Sequence, residues 1–207
     1  TMFYCIYNDF TFWNVPLLEA DTNFSYRNPT LHKIGGVGYG KRGDIIDSHV
    51  LKEGFYFSRE GQAIPSSSNR TRYSCLSYTN SIVVQFTINL YTGQHKISGN
   101  MNLLPMPDYA SRQSDIEHIV NAIIDIKRQW FSLDETNLEY HGLLAQIDIS
   151  QSIDKALGKM QEQLNKDYIC YQELVRENDD LWMDLAGIEP DSDFRKTLND
   201  YKQRRPY

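Results

Sequence analysis

Apolar side chains in the last third of the chain recur at helical spacing. From about Gln151 to Ala186 no proline intervenes, and apolar or aromatic residues occupy positions 153, 157, 160, 164, 168, 171, 175, 182 and 185. Steps of three and four, with one double step of seven across Asn178, place them on one stripe of an α-helix. Roughly 36 residues at about 1.5 Å rise make about 54 Å, longer than a small domain is wide. Gly158 costs such a helix about 1 kcal/mol relative to Ala. Gly187 and Pro190 end it, and Ser192 caps a last short helix. Upstream, Ile116, Ile119, Val120, Ile123, Ile124, Lys127 and Trp130 keep the same period, apart from the one Lys, and predict a helix near 112–131. Ser132 with Glu135 reads as a capping box for a further helix over about 133–146, with Leu133, Tyr140, Leu143 and Leu144 inward.

The first half has a different texture, rich in aromatics, Thr, Ser and Gly. Val84, Phe86, Ile88 and Leu90 alternate within Ser81–Leu90, which predicts a strand with one buried face. Thr92-Gly93 supplies a turn, His95–Leu103 runs back, and Arg72–Tyr78 precedes them as a third strand. Met2–Tyr7, Phe10–Val15 and Gly54–Ser58 read as shorter strands, while 16–50, 59–71 and the Ser66–Asn69 run read as turns and loops. The fold class is therefore α+β: an N-terminal antiparallel β-meander with long loops, then a helical C-terminal half with one long amphipathic helix. Pro105 and Pro107 mark the change between 1–108 and 109–207, two halves of one integrated domain from which the long helix projects.

Composition narrows the class. In 207 residues, 41% are hydrophobic and 23% charged, so the chain can bury a core and is not wholly disordered. A net charge of −6 argues against a generic phosphate-backbone binder, hence against nucleic acid as partner. Residues 1–108 balance at +1 and 109–207 at −7, which would suit a basic protein partner. Cys5, Cys75 and Cys170 are far apart and odd in number, which excludes a disulfide scaffold or a CxxC zinc site. Met2 reads as the initiator, no signal-peptide pattern follows it, and no apolar run approaches the roughly 20 residues of a membrane span. Free thiols and no leader point to the cytoplasm, with no membrane partner.

Several motifs match catalytic patterns in letters only. Gly35-Gly36-Val37-Gly38-Tyr39-Gly40-Lys41-Arg42-Gly43 satisfies GxGxxG and most of a Walker A pattern. Such a loop could offer backbone N–H groups and two cations to a phosphate. The preceding Asn28–Ile34 is too polar for the buried strand that both families need, and Arg42 stands where a Mg²⁺-holding hydroxyl belongs. The segment is therefore expected to be a flexible surface loop that contacts a partner. Pro107-Asp108 with Asp125-Ile126-Lys127 matches a metal-dependent nuclease pattern, but helical periodicity points Asp125 and Lys127 about 200° apart. Cys75 and His95 could meet across the meander as a thiolate–imidazole pair, although a lone strand Cys is ordinarily a small core residue. The other histidines are not grouped for a metal. No catalytic residue, cofactor or metal is assigned.

Two readings of the long helix remain open. Its stripe packs on the protein's own sheet and helices, or its distal part, Tyr168–Leu185, projects and buries its apolar residues against a second chain. The function expected is non-enzymatic: a cytoplasmic interaction protein of the regulator, inhibitor, immunity or assembly-subunit kind. It would bind another protein and self-associate through the long helix. The partner-binding residues expected are Tyr39, Lys41 and Arg42 in the Gly-rich loop and Tyr168, Tyr171, Val175, Trp182 and Leu185 on the helix. The alternative is an enzyme acting on a nucleotide or nucleic acid through the Lys41/Arg42 loop.

Overall fold

In the computed structural model, residues 3–4, 14–22, 28–58, 60–142 and 150–203 are described. The chain is α+β. A short helix α1 (Val15–Glu19) precedes three strands, β1 (Gly36–Gly40), β2 (His49–Leu51) and β3 (Gly61–Pro65). Helices α2 (Asn69–Thr79), α3 (Ile82–Tyr91), α4 (Ser98–Met101), α5 (Gln113–Phe131), α6 (Ile153–Leu185) and α7 (Asp193–Gln203) follow. The sheet is antiparallel in the order β2-β1-β3, with Val37 opposite Val50 on one side and Ile64 on the other.

The sheet is not built from the segments that alternate best. Arg72–Tyr78 lies in α2 and Ser81–Leu90 in α3, both helical. The caps decide this locally. Ser68 Oγ accepts from the Thr71 N–H at 3.3 Å, and Ser81 caps α3 in the same manner. Tertiary partners complete it: the Asp179 carboxylate on α6 accepts from the Ile82 N–H at 2.7 Å, satisfying an orphan donor at the start of α3. Buried Gln85 then substitutes for a strand edge, since its amide accepts from Ile46 N–H (2.9 Å) and donates to Ile46 C=O (2.7 Å). β-branched content favoured a strand there, and packing overrode it.

His95–Leu103 is likewise no strand: it holds one bridge, Arg42 with His95, and the single turn of α4. Fully buried Lys96 donates to the carbonyls of Gly43 and Gly93 (2.9 Å for the latter) and so ties this segment to the end of α3. Gly54–Ser58 is coil, exchanging backbone hydrogen bonds with Lys33 rather than joining the sheet. Of the two N-terminal strand candidates, Cys5–Trp13 lies outside the described residues. Phe3 makes one bridge to His49, and Val15 begins α1.

The helical half is closer to expectation. α5, α6 and α7 occupy the expected stretches, and Ser192 Oγ accepts from the Arg195 N–H at the start of α7. The 133–146 helix does not form over its described part, 133–142. Ser132 turns its hydroxyl back to Gln129 C=O (2.7 Å), and Asn137 donates to Phe131 C=O (2.9 Å), closing α5 in turns. Residues 143–149 lie outside the described set. The core gathers where α2, α3, α5 and the C-terminal part of α6 meet the sheet: Leu76, Val84, Ile88, Ile116, Val120, Ile123 and Trp182 are all buried.

Candidate functional site

The Gly-rich segment is the centre of the sheet. Gly36 and Gly38 lie in β1 between two partner strands, where space is short, and Gly40 pairs with β3 alone. A Cβ on Gly36 would stand 2.2 Å from Ile64 O, and one on Gly38 2.8 Å from His49 Nε2. Gly36 allows close backbone approach between strands, Gly38 makes room for the His49 ring, and the segment is not the flexible loop expected. Tyr39 is buried, its hydroxyl donates to Gln62 Oε1 at 2.9 Å, and burial pushes its pKa up to about 12. Lys41 and Arg42 follow the strand and both meet Glu60, at 3.0 and 3.1 Å. The hydrogen bond from Lys41 holds the Glu60 carboxyl below its ordinary range. Such exposed pairs contribute little, so Lys41→Ala is expected to shift stability by less than about 1 kcal/mol, read as a urea midpoint.

The expected projection of Tyr168–Leu185 is also corrected. α5 and α6 pack antiparallel, with Trp130 near the end of α5 against Tyr171 (ring centroids 5.3 Å apart), and Ile119 and Leu181 further along lining one cleft. Tyr171, Leu174, Val175, Leu181 and Trp182 are buried in the protein's own core, and Leu185 is partly buried against it. Trp182 donates from Nε1 to Ser77 Oγ (2.6 Å) and lies 4.7 Å from the Tyr78 ring. Burial pushes the Tyr171 hydroxyl up to about 12. The lysine that interrupts the α5 stripe has a place here: Lys127 Nζ lies 4.4 Å from the Tyr171 ring centroid and 5.2 Å from that of Trp130. Those ring faces attract the ammonium while its stem is buried, and burial lowers its pKa.

The other end of the helix is the more exposed one, although Ala156 is buried there. α6 runs roughly 50 Å and α5 roughly 28 Å at about 1.5 Å per residue, so α6 outruns its partner. Trp130 reaches Tyr168 (6.5 Å between centroids), which is still 48% exposed. Toward the N-terminus the same stripe continues through partly covered Leu164 and Met160 to Leu157 and Ile153, which are 43% and 73% exposed. Ile169 is 56% exposed beside it. The periodicity identified this stripe correctly. Which half is covered depends on where α5 ends in space, and spacing cannot report that.

The remaining candidates do not assemble. Asp125 and Lys127 share α5, not a strand, with Asp125 exposed. Cys75 is half-buried on α2, His95 is exposed, and the meander that would join them is not formed from those segments. No group of three or more metal-ligating residues is present among the described residues. Some of the acidic half's charge is paired locally: Arg195 on α7 meets Asp180 (2.9 Å) and Asp184 (2.7 Å) on α6, and Arg112 meets Asp115. One grouping escaped the sequence, the convergence of Lys52, Arg72 and Arg128 on one cleft. No regular spacing links positions that fall after β2, in α2 and in α5. No described helix is long and apolar enough to cross a membrane, no family model matches the chain, and no curated protein matches it significantly.

Proposed function

We propose that this is a non-enzymatic cytoplasmic interaction protein, a regulator, inhibitor or assembly subunit, that self-associates through the N-terminal half of α6. The observation that carries the reading is the exposed continuation of a stripe that is core at its other end. Ile153, Leu157, Tyr168 and Ile169 stand substantially open to solvent on a helix that extends past α5. Full burial of such side chains is worth roughly 1.5–3 kcal/mol each, so a second surface gains by covering them.

The chemistry of this segment favours a second copy of the chain. Residues 153–170 carry Lys155, Lys159 and Lys166 against Asp154, Glu162 and Asp167, a balance of zero in a molecule of −6. Two copies can therefore meet on this helix without the like-charge repulsion that the rest of the acidic helical half would impose. The steps from 153 to 164 are those of a coiled-coil seam, and pairing two such seams buries both stripes. The enzyme alternative loses the loop on which it rested, since β1 is a packed strand and Lys41 and Arg42 are paired with Glu60.

Light scattering on the purified chain tests the reading. The expected mass is twice that of the chain at high concentration. Leu157→Glu is expected to return a monomer while moving the thermal midpoint little, because an exposed substitution alters stability by about 0.5 kcal/mol. A strict monomer at all concentrations overturns self-association. A dimer that survives both Leu157→Glu and Ile153→Glu overturns the seam as its interface.

A further inference from the structure

A cleft of about 220 Å³ opens between the sheet, α2 and α5. Lys52, Arg72 and Arg128 line it from three parts of the chain, and among the described residues no carboxylate does. In a chain of net charge −6 this is the reverse of what composition would place there. Three cations line one concavity, and the two carboxylates that pair with them leave the group one positive charge in excess.

The carboxylates that meet these cations are not among the groups lining the cleft. Glu139 accepts from Lys52 Nζ and from the Tyr4 hydroxyl at 2.7 Å, with Arg128 Nε at 3.5 Å. Its burial opposes ionisation, but these partners outweigh it and hold the carboxyl below its ordinary range. One carboxylate is thus shared between two cations. Arg72 meets Glu53 at 2.9 Å, and that side chain is 69% exposed. The Arg72 guanidinium is oriented by its own backbone, Nε donating to Ser66 C=O (2.7 Å) and Nη2 to Ser67 C=O (3.1 Å). Tyr73 and Leu76 add an aromatic and an apolar wall.

We propose that this cleft binds a small organic phosphate monoester, its phosphate held among Lys52, Arg72 and Arg128 and its organic part against Tyr73 and Leu76. A phosphate dianion answers an excess of cations, and ammonium and guanidinium N–H groups donate to its oxygens. The volume lies below the 300–1,000 Å³ that drug-sized ligands fill, which selects a compact ester over a whole dinucleotide.

Calorimetric titration of the full chain with phenyl phosphate, at constant ionic strength, tests the assignment. Saturable one-site binding is expected with Kd below about 1 mM. Arg128→Gln, an exposed change on α5, is expected to weaken it at least tenfold with circular dichroism unchanged. Glu139→Gln removes the negative charge that Lys52 and Arg128 share and is expected to tighten binding severalfold. Lys41→Ala, outside the cleft, is expected to leave it unchanged. Absence of saturable binding, or binding that Arg128→Gln and Arg72→Gln both leave intact, overturns the site. Inorganic phosphate binding as tightly as the ester overturns the organic-ester assignment.

Discussion

Trp182→Ala is expected to cost about 3–5 kcal/mol of folding stability, the range for truncating a large aromatic in a packed core. Trp182 is completely buried, stacks at a tilt on Tyr78 and donates from its indole to Ser77 Oγ. The substitution empties a large volume and removes one of the bonds that join α6 to α2. Ser77 keeps Asn178 as a partner, so the loss is chiefly one of packing. For a chain of this size the melting point should fall on the order of 10 °C. Urea denaturation followed by far-UV circular dichroism reads the effect without relying on the indole itself. Oligomer mass should respond only as far as unfolding allows. A variant that keeps its stability but loses its dimer would return the distal stripe to the role of an interface.

Gly36→Ala is the second large effect, about 2–5 kcal/mol, from strain and overpacking together. Gly36 has φ +145°, where an L side chain is strained, and its Cβ would collide with the Ile64 carbonyl across the β1–β3 pairing. Neither a backbone oxygen nor a central strand can step aside cheaply. Gly99→Ala is the control: nothing lies within 4 Å of its Cβ and it sits in a helical turn, so the change should be neutral or stabilising by up to about 1 kcal/mol. Equal urea midpoints for Gly36→Ala and wild type would mean that the segment tolerates side chains as a mobile loop does.

The Gly-rich segment shows why the candidate site was only partly legible. Five glycines in nine residues read as flexibility because glycine is permissive when nothing surrounds it. Here two neighbouring strands surround it, and the missing Cβ becomes a requirement of packing. The same reversal occurs at Ser81–Leu90. Alternating apolar residues suit a pleated face, yet Ser81 and the Asp179 carboxylate accept from the first N–H groups of the helix, and the Gln85 side chain ties it to the Ile46 backbone. Asp179 is nearly a hundred residues away in sequence, and no local window contains it. The Lys52–Arg72–Arg128 cleft was invisible for the same reason.

Helical periodicity determined the extents of α5 and α6, and local breakers and a cap determined the stop at Gly187–Pro190 and the start of α7, because these depend on side chains within a turn of one another; the α+β class is as expected, although the segments that predicted its strands fold as helices. The tertiary structure decided which residues form the sheet, which half of the long stripe is core, and where three cations converge. Each of those outcomes is set by contacts between segments far apart in the chain, whose free energies local spacing does not encode.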